Sequence, residues 1–255
     1  MIETVIFLFP HQDDEFGVFK QIRVEVERGR RVVCAYLTTG VSEGESSVTR
    51  NMESLKVLKK LGVLEHDILF PGAEYSIADK QLMYNLDRIS GWIEDWISSV
   101  ENLRQVYVPS WEGGHPDHDA LHGLIVRQLA RARRIEIIRQ FSLYNAYRCS
   151  KPFYRVLKPI INNGAADSVR ITFRERILFN KLVITGFPSQ RRSWLGLYPF
   201  FLAHYLFNGS QQLQNVSVER TYERPHDGNL YYENRNFATF ESVIEQLNRW
   251  EESSR

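Results

Sequence analysis

The first 147 residues alternate short apolar runs with amphipathic segments, and this alternation restricts the fold more than any other feature of the sequence. Apolar runs of strand length lie at residues 4–10, 30–40, 67–72, 105–110 and 135–144. Segments with apolar residues at helical spacing lie between them, at 15–29, 48–63, 80–100 and 120–134. Strands that alternate with helices form a parallel sheet through right-handed crossovers. The sequence therefore predicts an α/β fold, a mostly parallel sheet with helices on both faces.

The alternation ends after Tyr147. Only scattered strand and helix patterns follow in residues 148–235, and a last amphipathic segment lies at 237–252. The sequence has no linker rich in Gly, Ser or Pro and no internal repeat. We therefore expect a single domain over residues 1–255, in which a core at 1–147 carries an irregular C-terminal cap at 148–255.

Composition and charge exclude several classes of function. The 32 basic and 31 acidic side chains nearly cancel, so no global field favours nucleic acid as a partner. The two cysteines, Cys34 and Cys149, give neither a disulfide framework nor a CxxC metal pair. The N-terminal residues lack the basic region and the apolar length of a signal peptide, which predicts a cytoplasmic protein.

No apolar stretch reaches the roughly 18 residues that a transmembrane helix requires. The nearest is WLGLYPFFLAHYLF at 194–207, which Pro199 and His204 interrupt. Two interpretations stay open: a buried helix pair or subunit contact, which would imply a homo-oligomer, and a surface that meets a lipid-linked substrate as a peripheral membrane contact.

Two polar clusters follow predicted strands at the point where each strand ends. HQDDE, residues 11–15, follows the first strand, and GGHPDH, residues 113–118, follows the fourth. Ligands of open parallel sheets bind beyond the carboxyl ends of the strands. We therefore expect the two clusters to share one edge of the sheet.

The residue types in these clusters indicate a metal site. A catalytic zinc takes three nitrogen or oxygen ligands from the protein and keeps an open position. His11, one of the two aspartates that follow it and His118 would form such a set, and the second aspartate would remain as a base. Taken alone, either cluster could instead be a solvated turn with an aspartate that caps the next helix.

The two clusters resemble the motifs of the LmbE-like or PIG-L family of zinc-dependent N-acetylglucosaminyl deacetylases. HQDDE is similar to the family's His-Pro-Asp-Asp-Glu and GGHPDH to its Gly-Gly-His-Pro-Asp-His. The strand-end LTTG, the Arg50–Glu53 pair before LGV at 61–63 and, more loosely, segments 181–190 and 224–233 extend the resemblance. It implies a Rossmann-like α/β enzyme that removes acetyl groups from N-acetylated amino sugars.

The resemblance also implies roles for individual residues. His11, Asp14 and His118 would hold Zn²⁺ or another divalent metal, and Asp13 would be the general base. His115 would steady the tetrahedral oxyanion and could protonate the leaving amine. Arg50 would bind sugar hydroxyls or an acidic group of the carrier.

Two further positions remain open at this stage. His226, in the C-terminal cap, would bind substrate if it reaches the edge of the site, although a lone loop histidine is more often a surface residue. Gln12 replaces the family's proline, so the turn is either less rigid or turns its amide towards the pocket.

Two other functions compete with a deacetylase. H-D-A-L-H at 118–122 differs from the metalloprotease motif H-E-x-x-H by one methylene group, but a peptidase would leave HQDDE unexplained. A non-catalytic module for sugars or nucleotides is the other, although G-x-G-x-x-G is absent after the first strand.

The carrier of the sugar stays open between an inositol lipid, a thiol precursor, a nucleotide sugar and a polysaccharide intermediate. Basic and aromatic residues at 151–159 and 187–194 favour a phosphate or another anionic group on the substrate.

Overall fold

The computed structural model describes residues 2–207 and 209–254, without the side chains of Arg192 and Ser193. The strands within these residues are β1 Thr4–Phe9, β2 Arg31–Tyr36, β3 Ile68–Leu69, β4 Leu103–Pro109, β5 Ile138–Phe141, β6 Tyr144–Asn145, β7 Arg155–Val156, β8 Ala166–Arg170 and β9 Ser210–Asn215. The helices are α1 Phe19–Glu27, α2 Val48–Leu61, α3 Pro71–Glu74, α4 Leu86–Ser99, α5 Pro116–Arg131, α6 Phe173–Gly186, α7 Arg191–Phe207, α8 Tyr231–Asn234 and α9 Phe240–Ser253.

Seven strands form the central sheet, in the order β3-β2-β1-β4-β5-β9-β8. The first five in this order are parallel, whereas β9 is antiparallel to both β5 and β8. Phe7 of β1 lies opposite Cys34 of β2 on one side and Tyr107 of β4 on the other. Because β1 and β4 are parallel neighbours, the segments that follow them leave the sheet side by side, as the sequence predicts.

Helices cover both faces of the sheet, and the alternation of side chains along β1 explains why. Val5, Phe7 and Phe9 pack in the cluster that includes α1, α2, α6 and α7. Ile6 and Leu8 pack in the opposite cluster, with α4, α5 and α9. All five side chains are fully buried, as is typical of a central parallel strand. The predicted α/β fold is thus confirmed.

One predicted helix begins later than its pattern indicates. The apolar spacing favours a helix from residue 80, but α4 begins at Leu86 after a separate single turn at Leu82–Tyr84. The backbone N–H groups of Lys80 and Leu82 donate to the carboxylate of Asp117 instead of continuing a helix. A buried side chain of another segment therefore overrides the local preference.

The C-terminal part contributes to the sheet as well as covering it. β8 and β9 add two strands beyond β5, and α9 packs against α4 and α5 in the core. Residues 194–207 belong to a single helix, α7, with Pro199 inside it, so the expected helix pair is wrong. No helix of the described residues has both the length and the hydropathy needed to cross a bilayer.

The packing of α9 on α5 gives a test of this architecture. Leu247 is fully buried, and its Cδ1 lies within 2.6 Å of the position that a Cβ on Gly123 would take. We expect Leu247→Ala to lower the free energy of unfolding by about 2–5 kcal/mol in urea denaturation, because it opens a cavity. Leu64→Ala is the control, since Leu64 is 58% exposed; equal losses in the two variants would contradict the packing.

Candidate metal centre and active site

The turn after β1 holds its two aspartates in different directions. The backbone N–H of His11 donates to Oδ2 of Asp14 at 2.8 Å, which closes the turn. Asp13 adopts φ 115°, a region that side-chain-bearing residues rarely occupy and that Asp tolerates better than most. Asp14 then begins a single helical turn, Asp14–Gly17. The two neighbouring carboxylates therefore serve different partners.

The carboxylate of Asp14 lies between two imidazole rings. Its Oδ2 is 3.1 Å from Nδ1 of His11, and its Oδ1 is 3.1 Å from Nε2 of His118. Burial opposes ionisation, but the charges and hydrogen bonds of His118 and His11 outweigh it and bring the pKa of Asp14 well below its usual range. The structure thus brings together the three side chains predicted as metal ligands.

The other nitrogen of His11 faces a second pair of carboxylates. Its Nε2 is 3.0 Å from Oδ2 of Asp117 and 3.3 Å from Oδ1 of Asp79. A proton on Nε2 that is donated to these oxygens leaves a lone pair on Nδ1, the nitrogen beside Asp14. Burial lowers the pKa of His11, but Asp14, Asp117 and Asp79 together raise it well above its usual value.

His115 completes the group of rings. Its Nδ1 accepts a hydrogen bond from the backbone N–H of Asp117 at 3.3 Å, so the proton of the neutral ring is on Nε2. Nε2 is 3.6 Å from Oδ1 of Asp79, and the ring is edge-on to His11 with 4.5 Å between centroids. Burial and the neighbouring His11 and His118 lower the pKa of His115 well below its usual value.

Asp13 has different hydrogen-bond and charge partners from Asp14. Nε1 of Trp194 donates to Oδ2 of Asp13 at 3.1 Å, and Nη2 of Arg50 is 3.6 Å from its Oδ1. Burial raises the pKa of Asp13 to about 8, against the lowering effect of Arg50. The carboxyl group is therefore able to hold a proton near neutral pH.

The donor set fits a divalent cation. Nitrogen atoms of His11, His115 and His118 lie within 4.8 Å of one another, and a second group at the same spacing shares two of these rings. The members of the second group are His11, Asp79, His115 and Asp117. Nδ1 of His118 is buried without a hydrogen-bond partner among the described residues. Asp14 belongs to neither group, since its oxygens are paired with His11 and His118. A divalent cation beside the rings would offset the repulsion between the carboxylates of Asp79 and Asp117.

A cavity of about 300 Å³ opens over these groups. His11, Asp13, Asp14 and His115 form part of its wall, and the aromatic part of the wall comes from both halves of the chain. The aromatic lining residues are Phe16, Tyr144, Tyr154, Trp194, Tyr231 and Phe237. Apolar walls around a few polar groups are typical of small-molecule sites, and the volume suits one sugar ring.

Two residues predicted to bind substrate are placed differently. Arg50 lines the cavity, but its guanidinium donates to the carbonyl oxygens of Gly40 and Gln12 and to Oε1 of Gln190, so it holds the turn. His226 does not line the cavity: it is buried, its ring packs on Tyr147, and its Nδ1 is 2.8 Å from the carbonyl oxygen of Asp227.

The amide of Gln12 turns away from the cavity. It is fully buried, and its Nε2 donates to Oδ1 of Asn51 at 2.6 Å and to the carbonyl oxygen of Thr38 at 3.3 Å. Gly40, at φ 65°, allows this approach, since a Cβ there would lie 2.0 Å from Oε1 of Gln12. Hydrogen bonds thus restrain the turn where the family has proline.

The pair of histidines in H-D-A-L-H does not converge. Nε2 of His118 faces Asp14, whereas Nδ1 of His122 is 2.8 Å from the carbonyl oxygen of Pro109 and its ring packs on Trp111. Burial lowers the pKa of His122 to about 4, so it is a neutral core residue. The geometry gives no support to a peptidase.

Sequence reasoning missed Asp79, and it treated Asp117 only as a capping residue. Asp79 lies in the loop after α3, ten residues beyond the end of β3, so no strand-end pattern in the sequence marks it. Asp117 lay inside the quoted motif. Trp194 had no signal of this kind, because its direction depends on how α7 packs.

The Gln12 contact predicts a measurable coupling. We expect Gln12→Ala and Asn51→Ala each to lower the free energy of unfolding by about 1–3 kcal/mol, because a buried partner is left unpaired. The double variant should lose about 1 kcal/mol less than the sum of the two. Chemical denaturation of all four proteins gives the coupling, and strictly additive losses would show that the contact is absent.

In metal-free protein, the contribution of Asp13 to stability should become less favourable as pH rises. The pKa of Asp13 is about 8 in the folded protein and 3.8 ordinarily, because burial penalises the charged carboxylate. This penalty is absent below about pH 4, where the group is protonated in both states, and it grows as pH rises to about 8. In chelator, Asp13→Asn should therefore raise the urea midpoint at pH 8 far more than at pH 4.

Asp79→Asn is the matched control and should have the opposite sign. His11, His115 and Lys80 outweigh burial and bring the pKa of Asp79 well below its usual range, so ionised Asp79 stabilises the fold. Its replacement should lower the midpoint at pH 8. The interpretation fails if both variants shift the midpoint in the same direction.

Comparison with known proteins agrees with the fold and with the motifs. The model of the family PIG-L, described as GlcNAc-PI de-N-acetylase, matches residues 6–129. No curated protein matches the chain. The predicted class of enzyme, a deacetylase-type hydrolase, is confirmed at the level of this family.

Three solved structures share the fold at low sequence identity. A deacetylase of the teicoplanin biosynthesis pathway is 15% identical with a TM-score of 0.58, over 84% of this chain and 98% of that chain. The N,N'-diacetylchitobiose deacetylase from Pyrococcus horikoshii is 18% identical with a TM-score of 0.55, over 83% of each chain. The A40926 pseudoaglycone deacetylase is 17% identical with a TM-score of 0.55, over 84% of this chain and 97% of that chain. Residues 6–129, which carry both motifs, thus belong to the PIG-L (LmbE-like) deacetylase family, and the resemblance inferred from those motifs is confirmed.

Proposed function

We propose that the chain is a zinc-dependent hydrolase that removes the N-acetyl group from an N-acetylated amino sugar of the GlcNAc type. One observation carries the proposal: the ionised carboxylate of Asp14 lies between His11 and His118 at the floor of a sugar-sized cavity, with Asp13 beside it. Two imidazole nitrogens and one carboxylate form a ligand set that is typical of a hydrolytic zinc site.

His11, Asp14 and His118 would hold the metal in this proposal. A bound divalent cation supplies Lewis-acid polarisation of the acetyl carbonyl and lowers the pKa of a water molecule at the site. Asp117 and Asp79 would orient His11 through its Nε2, as outer carboxylates commonly do for metal-binding histidines. Another divalent metal would be held by the same side chains.

Asp13 would act as the general base. Its carboxylate accepts the proton of the attacking water while the water oxygen forms a bond to the acetyl carbon. The C–N bond then breaks, and the same proton is returned to the leaving nitrogen, so acetate and the free amine are the products. Trp194 and Arg50 keep the carboxylate directed into the cavity through this cycle.

His115 would stabilise the oxyanion as a neutral donor. The backbone N–H of Asp117 donates to Nδ1 of His115, so the ring carries its proton on Nε2 and cannot rotate freely. The Nε2–H lies at the cavity wall, 3.6 Å from Oδ1 of Asp79. A preorganised donor of this kind lowers the energy of the tetrahedral intermediate without reorganisation. Of the two roles expected for His115, we therefore assign it the stabilisation of the oxyanion and not the protonation of the leaving amine.

The mouth of the cavity suits an acidic carrier. Arg235 is exposed there, and Nζ of Lys80 lies 4.8 Å from the centroid of the Phe237 ring. Nζ of Lys80 is also paired with Oδ2 of Asp79 at 2.5 Å, so Arg235 is the cation that a phosphate on the aglycone side of the sugar would meet first. This favours a nucleotide sugar or a phospholipid-linked sugar over a neutral glycan.

Metal content and acetate release test the assignment together. Wild type should bind zinc and release acetate from at least one of three probes: N-acetylglucosamine, its nucleotide diphosphate and an N-acetylglucosaminyl phosphoinositide. His11→Ala should lose both properties. Asp13→Asn should retain zinc but lose about 10²–10⁴-fold in turnover, because only the base is removed.

His122→Gln separates the deacetylase from the peptidase and should retain zinc and activity. The proposal is wrong if wild type purified with added zinc binds none while His11→Ala retains full activity. Zinc loss in His122→Gln with normal circular dichroism would instead identify the H-D-A-L-H pair as the ligands. Zinc binding without acetate release from any probe would favour a binding module.

A further inference from the structure

The outer face of α7 is apolar and open. An α-helix turns about 100° per residue, which places Leu195 and Leu206 on the same side of α7 and Phe207 near the edge of that side. Their side chains are 76%, 59% and 85% exposed. The exposed residues on this side are Leu195, Gly196, Pro199, Phe200, Leu206 and Phe207. Trp194 and Phe201, on the opposite side of α7, are buried. Most of α7 is therefore apolar on both sides, but the described residues cover only one of them.

Helix α6 extends this surface. Phe173, Ile177 and Ile184 are exposed and lie on one face of α6, since they are four and eleven residues apart. A cavity of about 510 Å³ between α6 and α7 joins them to Leu202 and Leu206. The two helices thus form one continuous apolar surface, which we call the α6–α7 face. A surface of this kind marks a contact with something outside the fold.

The segment of the chain that contains the α6–α7 face is cationic. Ten of the 32 basic residues but only two of the 31 acidic residues lie in 148–218, so this segment has a net charge of +8 and the rest of the chain −7. No Asp or Glu occurs in 176–218, and Glu175 is buried against Lys20 at 2.6 Å. Arg174 and Lys181 are exposed on α6 beside the apolar side chains.

An apolar surface within a cationic segment favours a lipid surface over a second copy of the chain as its binding partner. A twofold dimer through the α6–α7 face would set the same cationic segment against itself, and like charges there repel. The headgroups of an anionic bilayer attract those cations, while exposed Leu, Ile and Phe side chains enter the boundary of the acyl chains. We propose that the α6–α7 face docks the protein on an anionic lipid surface.

Docking in this orientation would bring the catalytic cavity close to the bilayer. Trp194 and Leu197 of α7 line the catalytic cavity, while Leu195 between them faces outwards. A docked α7 would hold the cavity wall at the lipid surface.

Vesicle sedimentation tests the docking directly. Wild type should bind vesicles of phosphatidylcholine mixed equally with phosphatidylglycerol and should bind pure phosphatidylcholine weakly, with binding that falls as salt rises. The double variant Leu195→Glu/Leu206→Glu should lose at least about tenfold in partitioning. Arg174→Gln and Lys181→Gln should each lose about fivefold, and only on the anionic vesicles.

Leu64→Glu is the matched control, because Leu64 is an exposed leucine away from the α6–α7 face, and it should bind as wild type does. No binding of wild type to anionic vesicles, or equal binding of the double variant, would overturn the proposal. So would a wild-type dimer that becomes a monomer in the double variant without any vesicle binding, which would identify a second copy as the occupant.

Acetate release from a water-soluble acetylated sugar separates the two proposals. The double variant should keep wild-type activity on it and the wild-type melting temperature, since neither leucine lines the catalytic cavity. Vesicle binding by a wild type that releases no acetate would support the docking and contradict the deacetylase, whereas the reverse result would contradict the docking alone.

Discussion

The placement of Asp14 between His11 and His118 is the contact on which the rest of the site depends. It joins the end of β1 to the start of α5, 104 positions apart in the chain, and it is possible only because β1 and β4 are parallel neighbours. A buried carboxylate is unfavourable unless it is paired. The fold meets this requirement with two rings, and the same arrangement offers a cation its ligands.

Both halves of the chain contribute contacts to the turn after β1. The parallel core supplies the ligand set and His115, whereas Asp13 is held by Arg50 of α2 and by Trp194 of α7. Gln190, just before α7, donates to the carbonyl oxygen of Gln12 at 2.8 Å. The C-terminal part therefore fixes the geometry of Asp13, the proposed base, and a change in the packing of α7 would reach this turn through two hydrogen bonds.

The charge distribution adds a second level of organisation. The near-zero net charge conceals a cationic segment at 148–218 and an acidic remainder. Helices α6 and α7 lie within the cationic segment, and Asp13, Asp14, Asp79 and Asp117 lie in the acidic part. The proposed lipid-facing surface and the proposed metal site thus occupy separate parts of one molecule, with α7 between them.

The sequence by itself determined the parallel core and the meeting of the two motifs. Strand and helix periodicity is a local property, and strand ends of a parallel sheet share one edge whatever the side chains around them. Only the tertiary structure decided that Asp117 stops the helix predicted from residue 80, that Arg50 holds the turn, and that His226 lies away from the cavity. It also gave Asp79 and Trp194 their roles. These outcomes depend on the directions of side chains from segments far apart in the chain, which packing sets and no local pattern records.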